Sequence, residues 1–448
     1  MSKRKAPIII IISTIILLTV AIFAVMILRR ATIAPERPEE SETESGIALP
    51  EEVDWEALYE ALGSERSYSG NNTFVNTPYY VFELTANDFM AYSKVSKSYV
   101  HVCPDPYCAH DENCEFGVNS YPDGVAYLNG RIYIQVSDWN YDNSRIYSLD
   151  KHLSDLKLEM SEVPTSTFNG LTTSWKHMQA DGNLLYFDED IYDENGNYLY
   201  DTVVWYDPET NEHGYVNEDL PIQKFIIRDG VIYALQEYRK IVTCDVVTGE
   251  IQTIFEVDAP NLLSMSAVSA KYLYYSEEVY TEGSTELKDC VFDLKAKRSI
   301  PCEEFYPTDV DVLGAFIIQD KPFFVVDHSG DAYADDPYYD FYTDKNSVRY
   351  SLGYSVRAGR IFTKDENGAA KELVQLTTHG IPDSVWWILG YDGRMLYVTY
   401  QTYLDYKNKE NIDYEMGHTY MRLAVIDMVT GEVHKPWCHA HGTEIPEK

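Results

Sequence analysis

Asp229-Gly230-Val231-Ile232-Tyr233 is the stretch on which the fold turns. An Asp-Gly pair ahead of alternating apolar residues is a strong hairpin signal, because Gly accepts the positive φ of a tight β-turn without a Cβ to clash. The pattern recurs as Asn129-Gly130-Arg131-Ile132-Tyr133, Asp181-Gly182-Asn183-Leu184-Leu185-Tyr186 and Asp392-Gly393-Arg394-Met395-Leu396-Tyr397. Looser copies are Ala270-Lys271-Tyr272-Leu273-Tyr274 and Asp320-Lys321-Pro322-Phe323-Phe324.

A second landmark follows each copy: a short apolar strand, an Asp, a polar turn and another strand. The aspartates are Asp150, Asp207, Asp245, Asp293, Asp365 and Asp427. Each can accept backbone N–H groups inside its turn. The landmark aromatics lie at Tyr133, Tyr186, Tyr233, Tyr274, Phe324 and Tyr397, mostly at the roughly 40–50-residue period of four-stranded propeller blades. The long last interval reads as an insertion over about Asp327 to Val356, and a weaker first unit spans Tyr79 to His101. The expectation is an all-β chain: a β-propeller of about seven four-stranded blades. Stacking into a ring buries the two apolar faces of each blade and removes most exposed strand edges.

Composition agrees. Aromatics make up 14% of the chain and 38 residues are Tyr, a side chain that favours half-buried pleated surfaces. The 45% hydrophobic content excludes wholesale disorder. The formal net charge of −36 repels phosphate backbones, so no nucleic-acid partner is expected.

Upstream of the repeats, Pro7 to Leu28 is an uncharged apolar run of about 22 residues, long enough for a helix to cross a bilayer. It exceeds a signal-peptide core and ends in Arg29-Arg30 rather than at a small-residue cleavage site. Lys3, Arg4 and Lys5 precede it, which favours an N-terminus inside. The sequence therefore divides into a short cytoplasmic tail and one transmembrane helix (residues 1–30), an acidic linker with a short helix over Glu52 to Leu62 (residues 31–76), and the propeller (residues 77–448). Localisation is expected as single-pass at the cell membrane, with the large domain extracytoplasmic.

The most distinctive local motif is Cys103-Pro104-Asp105-Pro106-Tyr107-Cys108-Ala109-His110-Asp111-Glu112-Asn113-Cys114. Cys103, Cys108, His110 and Cys114 supply the three thiols and one imidazole of a structural zinc set. The spacing is not that of a standard finger, and outside the cytoplasm the same thiols can pair as disulfides, with Cys438 as a further partner. Both chemistries are structural.

Together, the anchor, the Asp-Gly-apolar-Tyr units and this cluster resemble a family of membrane-anchored, extracytoplasmic, propeller-like proteins of unknown function from anaerobic Firmicutes. The resemblance covers about residues 77–437. It implies a cell-surface propeller and brings no catalytic residues.

For ligand binding the insertion draws attention: Tyr333, Asp335, Asp336, Tyr338 and Tyr339 mix rings that stack on sugars or peptides with carboxylates that hold hydroxyls. The alternative for that stretch is a solvated loop over a blade edge. Asp188 to Asp193 looks superficially like a calcium loop but lacks its alternation and terminal Glu, so a hairpin at Asn195-Gly196 fits better. No nucleophile elbow, zinc-protease motif or Walker loop is present. The function expected is a binding or scaffold module for a protein, peptide or glycan. The competing expectation is a membrane-tethered carbohydrate-active enzyme with a carboxylate pair in the propeller mouth.

Overall fold

In the computed structural model, Asn129-Gly130 and Asp229-Gly230 have positive φ at both residues, 49° and 78° in the first pair, 48° and 73° in the second. That backbone is the two-residue hairpin turn whose twist matches its strands. The structure describes residues 53–62, 74–83, 90–105, 107, 108, 114, 116, 120–138, 144–163, 165–168, 171–193, 197–217, 220–281, 284–305, 312–318, 321–327, 357–365, 367–378, 381–401 and 422–436.

Strands that follow one another in the chain lie side by side in each sheet. The first sheet is Phe74–Asn76, Tyr80–Glu83, Met90–Ser93 and Ser98–His101; the second is Ser120–Leu128, Arg131–Asp138, Ser144–Leu149 and Lys157–Met160. The third is Lys176–Asp181, Leu184–Tyr192, Tyr198–Asp207 and Glu212–Tyr215; the fourth is Lys224–Arg228, Val231–Gln236, Lys240–Asp245 and Ile251–Glu256. The fifth is Leu262–Val268, Tyr272–Thr281, Ser284–Asp293 and Arg298–Pro301.

The sixth departs from expectation. It has eight strands: a group built on Val312–Ile318, Lys321–Asp327, Arg357–Lys364 and Ala370–Gln375, joined to Ser384–Tyr391, Met395–Gln401, Arg422–Asp427 and Val433–His434. The chain is thus an all-β propeller of six sheets rather than seven separate blades. The physical reason is a single extra pairing, Ala358 with Ser384, which ties the third strand of one group to the first strand of the next. The predicted insertion falls between Lys321–Asp327 and Arg357–Lys364, which pair with each other across it.

All six landmark aspartates perform the turn chemistry read from the sequence. Each accepts two backbone N–H groups of its turn through Oδ1, at 2.7–3.4 Å. These turns join third strands to fourth strands, whose residues are largely exposed. First strands of neighbouring sheets touch one another instead, as Ser120–Leu128 and Lys176–Asp181 do, and so face the centre. There the approach is close: a Cβ on Gly124 would lie 2.6 Å from Met178 Cβ.

The core consists of the layers between sheets. Phe82 and Ala91 meet Val125, Ile132 and Tyr147; Tyr133 and Ile146 meet Met178, Leu185 and Phe187; Tyr186 and Val203 meet Phe225, Ile232 and Val242. Ile226 and Leu235 meet Leu263, Met265 and Tyr275. Within the eight-stranded sheet, Phe323 and Ile361 pack with Val385, Leu396 and Val398. The ends of the series meet as well. Val81 and Tyr92 of the first sheet pack against Met395, Tyr397, Leu423 and Val425 of the last group.

This closing seam contains a buried ion pair, Lys94 Nζ to Asp392 Oδ2 at 2.9 Å, with side chains 3% and 1% exposed. Asp392 Oδ2 also accepts the Tyr397 hydroxyl at 2.6 Å, while Oδ1 accepts the Arg394 and Met395 N–H groups. Burial pushes the Asp392 carboxyl up, but the Lys94 charge and these hydrogen bonds outweigh it and hold it below its ordinary value. Helix α1, Trp55–Leu62, clasps the seam. Its start is capped by Asp54, whose Oδ1 accepts the Ala57 N–H at 2.9 Å. Trp55 lies against Lys94, 5.3 Å from ammonium to ring, and Tyr59 packs edge-on to Tyr127. The compact unit runs from Asp54 to Lys448. Among the described residues no helix is long and apolar enough to cross a membrane, and Pro7 to Leu28 lie outside them.

Candidate functional site

Two clusters of reactive side chains stand out. The first is the predicted thiol cluster. Cys103 follows the strand Ser98–His101 directly, and Val102 between them is buried. A turn at Asp105, with Cys108 N–H on the Asp105 carbonyl at 3.1 Å, folds the chain back. Cys103, Cys108 and Cys114 thereby come together, their sulfurs all within 4.8 Å of one another. No disulfide joins them to one another or to any other described residue. Burial pushes the Cys103 thiol up, and the Cys114 thiol up to about 12. His110, the expected fourth ligand, lies outside the described residues, as does Cys438.

The second cluster sits at the mouth, where first strands begin and second strands end. Lys176 opens the first strand of the third sheet and pairs with Asp188. The register slips between Lys176 and Gln179, and His177 in that bulge has φ +55°. Non-glycine residues rarely hold this conformation, and bulges that re-aim side chains concentrate at functional sites. His177 Nδ1 lies 2.9 Å from Asp188 Oδ2. Burial lowers the imidazole pKa, but the Asp188 bond and charge prevail and raise it.

Two residues further along the same strand, Asp190 holds Lys176 Nζ with both oxygens at 2.9 Å and accepts the Tyr192 hydroxyl at 3.2 Å. Asp201 stands directly opposite Asp190 on the neighbouring strand. Burial, reinforced by the hydrogen bond with Asp190, pushes the Asp201 carboxyl up to about 7. Burial works in the same sense on Asp190, but the Asp201 bond and the Lys176 ammonium hold it below its ordinary value. The two carboxyls therefore titrate as a coupled pair, with Asp201 holding its proton well above the ordinary carboxylate range. The second sheet contributes Asp123, hydrogen-bonded to Ser137 and pushed by burial up to about 6. Two buried oxygens, Asp188 Oδ1 and Asp201 Oδ1, have no hydrogen-bond partner among the described residues.

Around this cluster the second-to-third-strand turns carry exposed rings. Tyr198 is 51% exposed and Tyr238 54%. Tyr238 and its neighbour Glu237 both adopt positive φ, 53° and 51°, which turns the ring outward at a conformational cost. Tyr280 stands at the equivalent turn of the fifth sheet, its hydroxyl 2.7 Å from Glu278. The hairpin Thr165–Phe168 and Leu171–Ser174 leads into Lys176 and touches the strand Leu184–Tyr192.

The predicted insertion residues Tyr333, Asp335, Asp336, Tyr338 and Tyr339 lie outside the described residues. The Asp188 to Asp193 stretch forms a hairpin arm, with Asp193 Oδ1 accepting the Asn197 N–H at 2.8 Å, as the turn reading required. That reading missed the strand's role at the mouth. The signal was present: Asp188 and Asp190 place two carboxyls on one face at the end of a strand that begins apolar.

No protein-family model matches the chain, and no curated protein matches it. Similarity appears among solved structures. The β-propeller domain of the Trilobed protease from Pyrococcus furiosus shares 13% identity over 80% of this chain and 90% of that one, with a TM-score of 0.42. An oligogalacturonate lyase in complex with manganese shares 9% over 75% of this chain and 84% of that one, with a TM-score of 0.40. The tricorn protease shares 11% over 79% of this chain, with a TM-score of 0.34, and this chain spans 41% of that protein's length.

Proposed function

We propose that this chain is a membrane-tethered, extracytoplasmic propeller that binds a hydroxyl-rich ligand, a glycan in the first place, at the mouth formed by the third sheet and its neighbours. The observation that carries this reading is the polar cluster at the bulged His177, where Asp188 and Asp201 each keep one buried oxygen with no hydrogen-bond partner among the described residues. A buried acceptor left without a donor costs about 1–3 kcal/mol, which a ligand hydroxyl would relieve. The exposed faces of Tyr198 and Tyr238 offer apolar platforms for sugar rings at the same end. Helix α1 lies at the opposite end, beside the Asp392-Gly393 turn.

The enzymatic alternative draws on the same carboxyls, but their contact argues against it. Asp190 and Asp201 are hydrogen-bonded to each other, whereas glycosidases hold their two carboxyls at least about 5 Å apart. The pair behaves as one coupled unit that positions Lys176.

The test is an array of oligosaccharides, with peptides as controls, probed with the purified full chain in detergent. The expected result is glycan binding that falls about tenfold, or about 1.4 kcal/mol, in Tyr198→Ala/Tyr238→Ala with the melting temperature unchanged. Binding indifferent to that double substitution and to Asp201→Ala removes the mouth from the proposal. Product formation from a bound glycan transfers the assignment to the enzyme class. Membrane attachment is tested separately, by whether the protein stays with the membrane at high salt and is digested by external protease.

A further inference from the structure

Cys103, Cys108 and Cys114 converge from two sides of a folded loop rather than from one stretch of strand. Cys103 leaves the outer strand of the first sheet, and Cys108 returns over the Asp105 turn, where Asp105 Oδ1 also accepts the Tyr107 N–H at 2.9 Å. Cys114 leads to Phe116, which is 2% exposed and packs on Tyr147 of the second sheet at 5.5 Å between ring centroids. The loop thus ties the outer edge of one sheet to the body of the next, and Cys103 and Cys114 lie against the apolar layer between them.

The spacing of the sulfurs, that of a thiol–thiol hydrogen bond, also suits a shared cation. Cys103 Sγ and Cys114 Sγ are 3.7 Å apart. A disulfide needs about 2.05 Å. Two thiolates on one tetrahedral zinc, each at about 2.3 Å, stand about 3.8 Å apart. The Phe116 N–H donates to Cys114 Sγ at 3.3 Å, the kind of backbone bond that steadies a negatively charged sulfur ligand. A divalent cation held between three thiolates would balance most of their negative charge.

We propose that Cys103, Cys108 and Cys114 bind one thiophilic divalent cation, zinc by its geometry and ligand preference, and that this metal fastens the first sheet of the propeller to the second. An all-sulfur set selects a borderline-soft ion over calcium or magnesium, which take oxygen ligands. On binding, each thiol loses its proton to solvent and forms a metal–sulfur bond, with no change of oxidation state. Because the loop spans two sheets, the binding free energy appears as stability of their junction.

The test uses the full chain, purified in detergent with a reductant, and zinc, cobalt and cadmium as probes. Elemental analysis should find about one zinc per chain. Cobalt substitution should give intense sulfur-to-metal charge-transfer absorption in the near ultraviolet with tetrahedral d–d bands. Cys108→Ser should lower the affinity at least tenfold, whereas Cys244→Ser, at a buried thiol in the fourth sheet, should leave it unchanged. Because Cys108→Ser can also perturb the loop, a second measurement needs no substitution: chelation should lower the melting temperature of the wild-type protein, and equimolar zinc should restore it. Failure of the fully reduced protein to take up zinc or cobalt at micromolar concentration overturns the proposal. So does a disulfide among the three cysteines, found by peptide mapping of protein isolated without reductant.

Discussion

Replacing Lys94 with Met tests the closing seam most directly. Met keeps much of the apolar stem and removes the charge, leaving the Asp392 carboxylate buried beside it. Removing one partner of a buried pair costs about 3–5 kcal/mol, because the other charge is left uncompensated. Asp392 would keep three of its bonds, from the Tyr397 hydroxyl and the Arg394 and Met395 N–H groups, which favours the lower end. Loss of the ammonium from beside the Trp55 and Tyr397 rings, at 5.3 and 5.5 Å, adds about 0.5–1 kcal/mol. The expected total is about 3–4 kcal/mol, seen as an earlier urea transition and a melting temperature lower by roughly 5 °C. Trp55 fluorescence makes the seam visible in the same titration. Lys94→Met/Asp392→Asn should recover part of the loss, giving a coupling of at least about 1 kcal/mol. The linkage has a definite sign. Asp392 titrates below its unfolded value, so its contribution is complete above about pH 4 and is lost as pH falls through the folded value, whereas burial lowers the Lys94 pKa and offsets part of the pair's gain near neutrality. A Lys94→Met protein within about 1 kcal/mol of wild type, or additive effects in the double-mutant cycle, would refute a closure that depends on this pair.

Other consequences follow from the same geometry. Gly124→Ala drives a Cβ to 2.6 Å from Met178 Cβ, and the overpacking should cost about 1–3 kcal/mol in chemical denaturation. Asp201 titrates above its unfolded value, so the folded state holds a proton the unfolded chain has released, and stability should fall as pH rises from about 4 to about 7. Asp201→Asn should flatten that segment of a melting-temperature profile, and an unchanged slope contradicts the raised Asp201 carboxyl. Asp427→Ala removes the turn acceptor of two N–H groups and the Arg394 contacts at 2.8 and 3.0 Å, for about 1–3 kcal/mol in thermal unfolding.

The architecture was legible because its signals are local. Gly130 and Gly230 announce turns that only their own neighbours determine, and the six landmark aspartates close loops within four residues of themselves. The short helix was legible for the same reason, from apolar spacing after Asp54. The fusion of two expected blades into one sheet was not, because Ala358 and Ser384 meet across intervening chain that carries no pairing signal. The mouth was harder still. Asp123, His177 and Asp201 belong to separate strands, and what unites them is the packing of the second and third sheets. The bulge at His177 depends on how Lys176–Asp181 must bend to lie beside Ser120–Leu128, and no residue type near it encodes that. The thiol cluster was visible as a motif, but that its three sulfurs lie within 4.8 Å of one another needed the fold of the loop.

The strand order explains why the seam is built unlike the other junctions. In every four-stranded sheet the strands run in sequence order, so among the described residues no sheet borrows a strand from the far end of the chain to lock the ring. Closure then rests on side chains alone. The layers between the second, third, fourth and fifth sheets combine apolar cores with hydrogen bonds such as those of Gln179 to Phe225 and Ile227, and consecutive chain supplies their alignment at little entropic cost. The first and last groups have no such connection, and an apolar face alone would tolerate sliding. Lys94 and Asp392 fix the register, since a shift of one residue would bury both charges unpaired. Helix α1 adds a clamp from outside the sheets, with Trp55 against the last group's layer and Tyr59 against the layer between the first and second sheets. Deleting α1 while leaving every strand intact should therefore loosen the seam before any other junction. Hydrogen exchange should show it first at Tyr92 and Tyr397, and equal protection loss at Ile232 and Leu185 would mean that the ring opens elsewhere or as a whole.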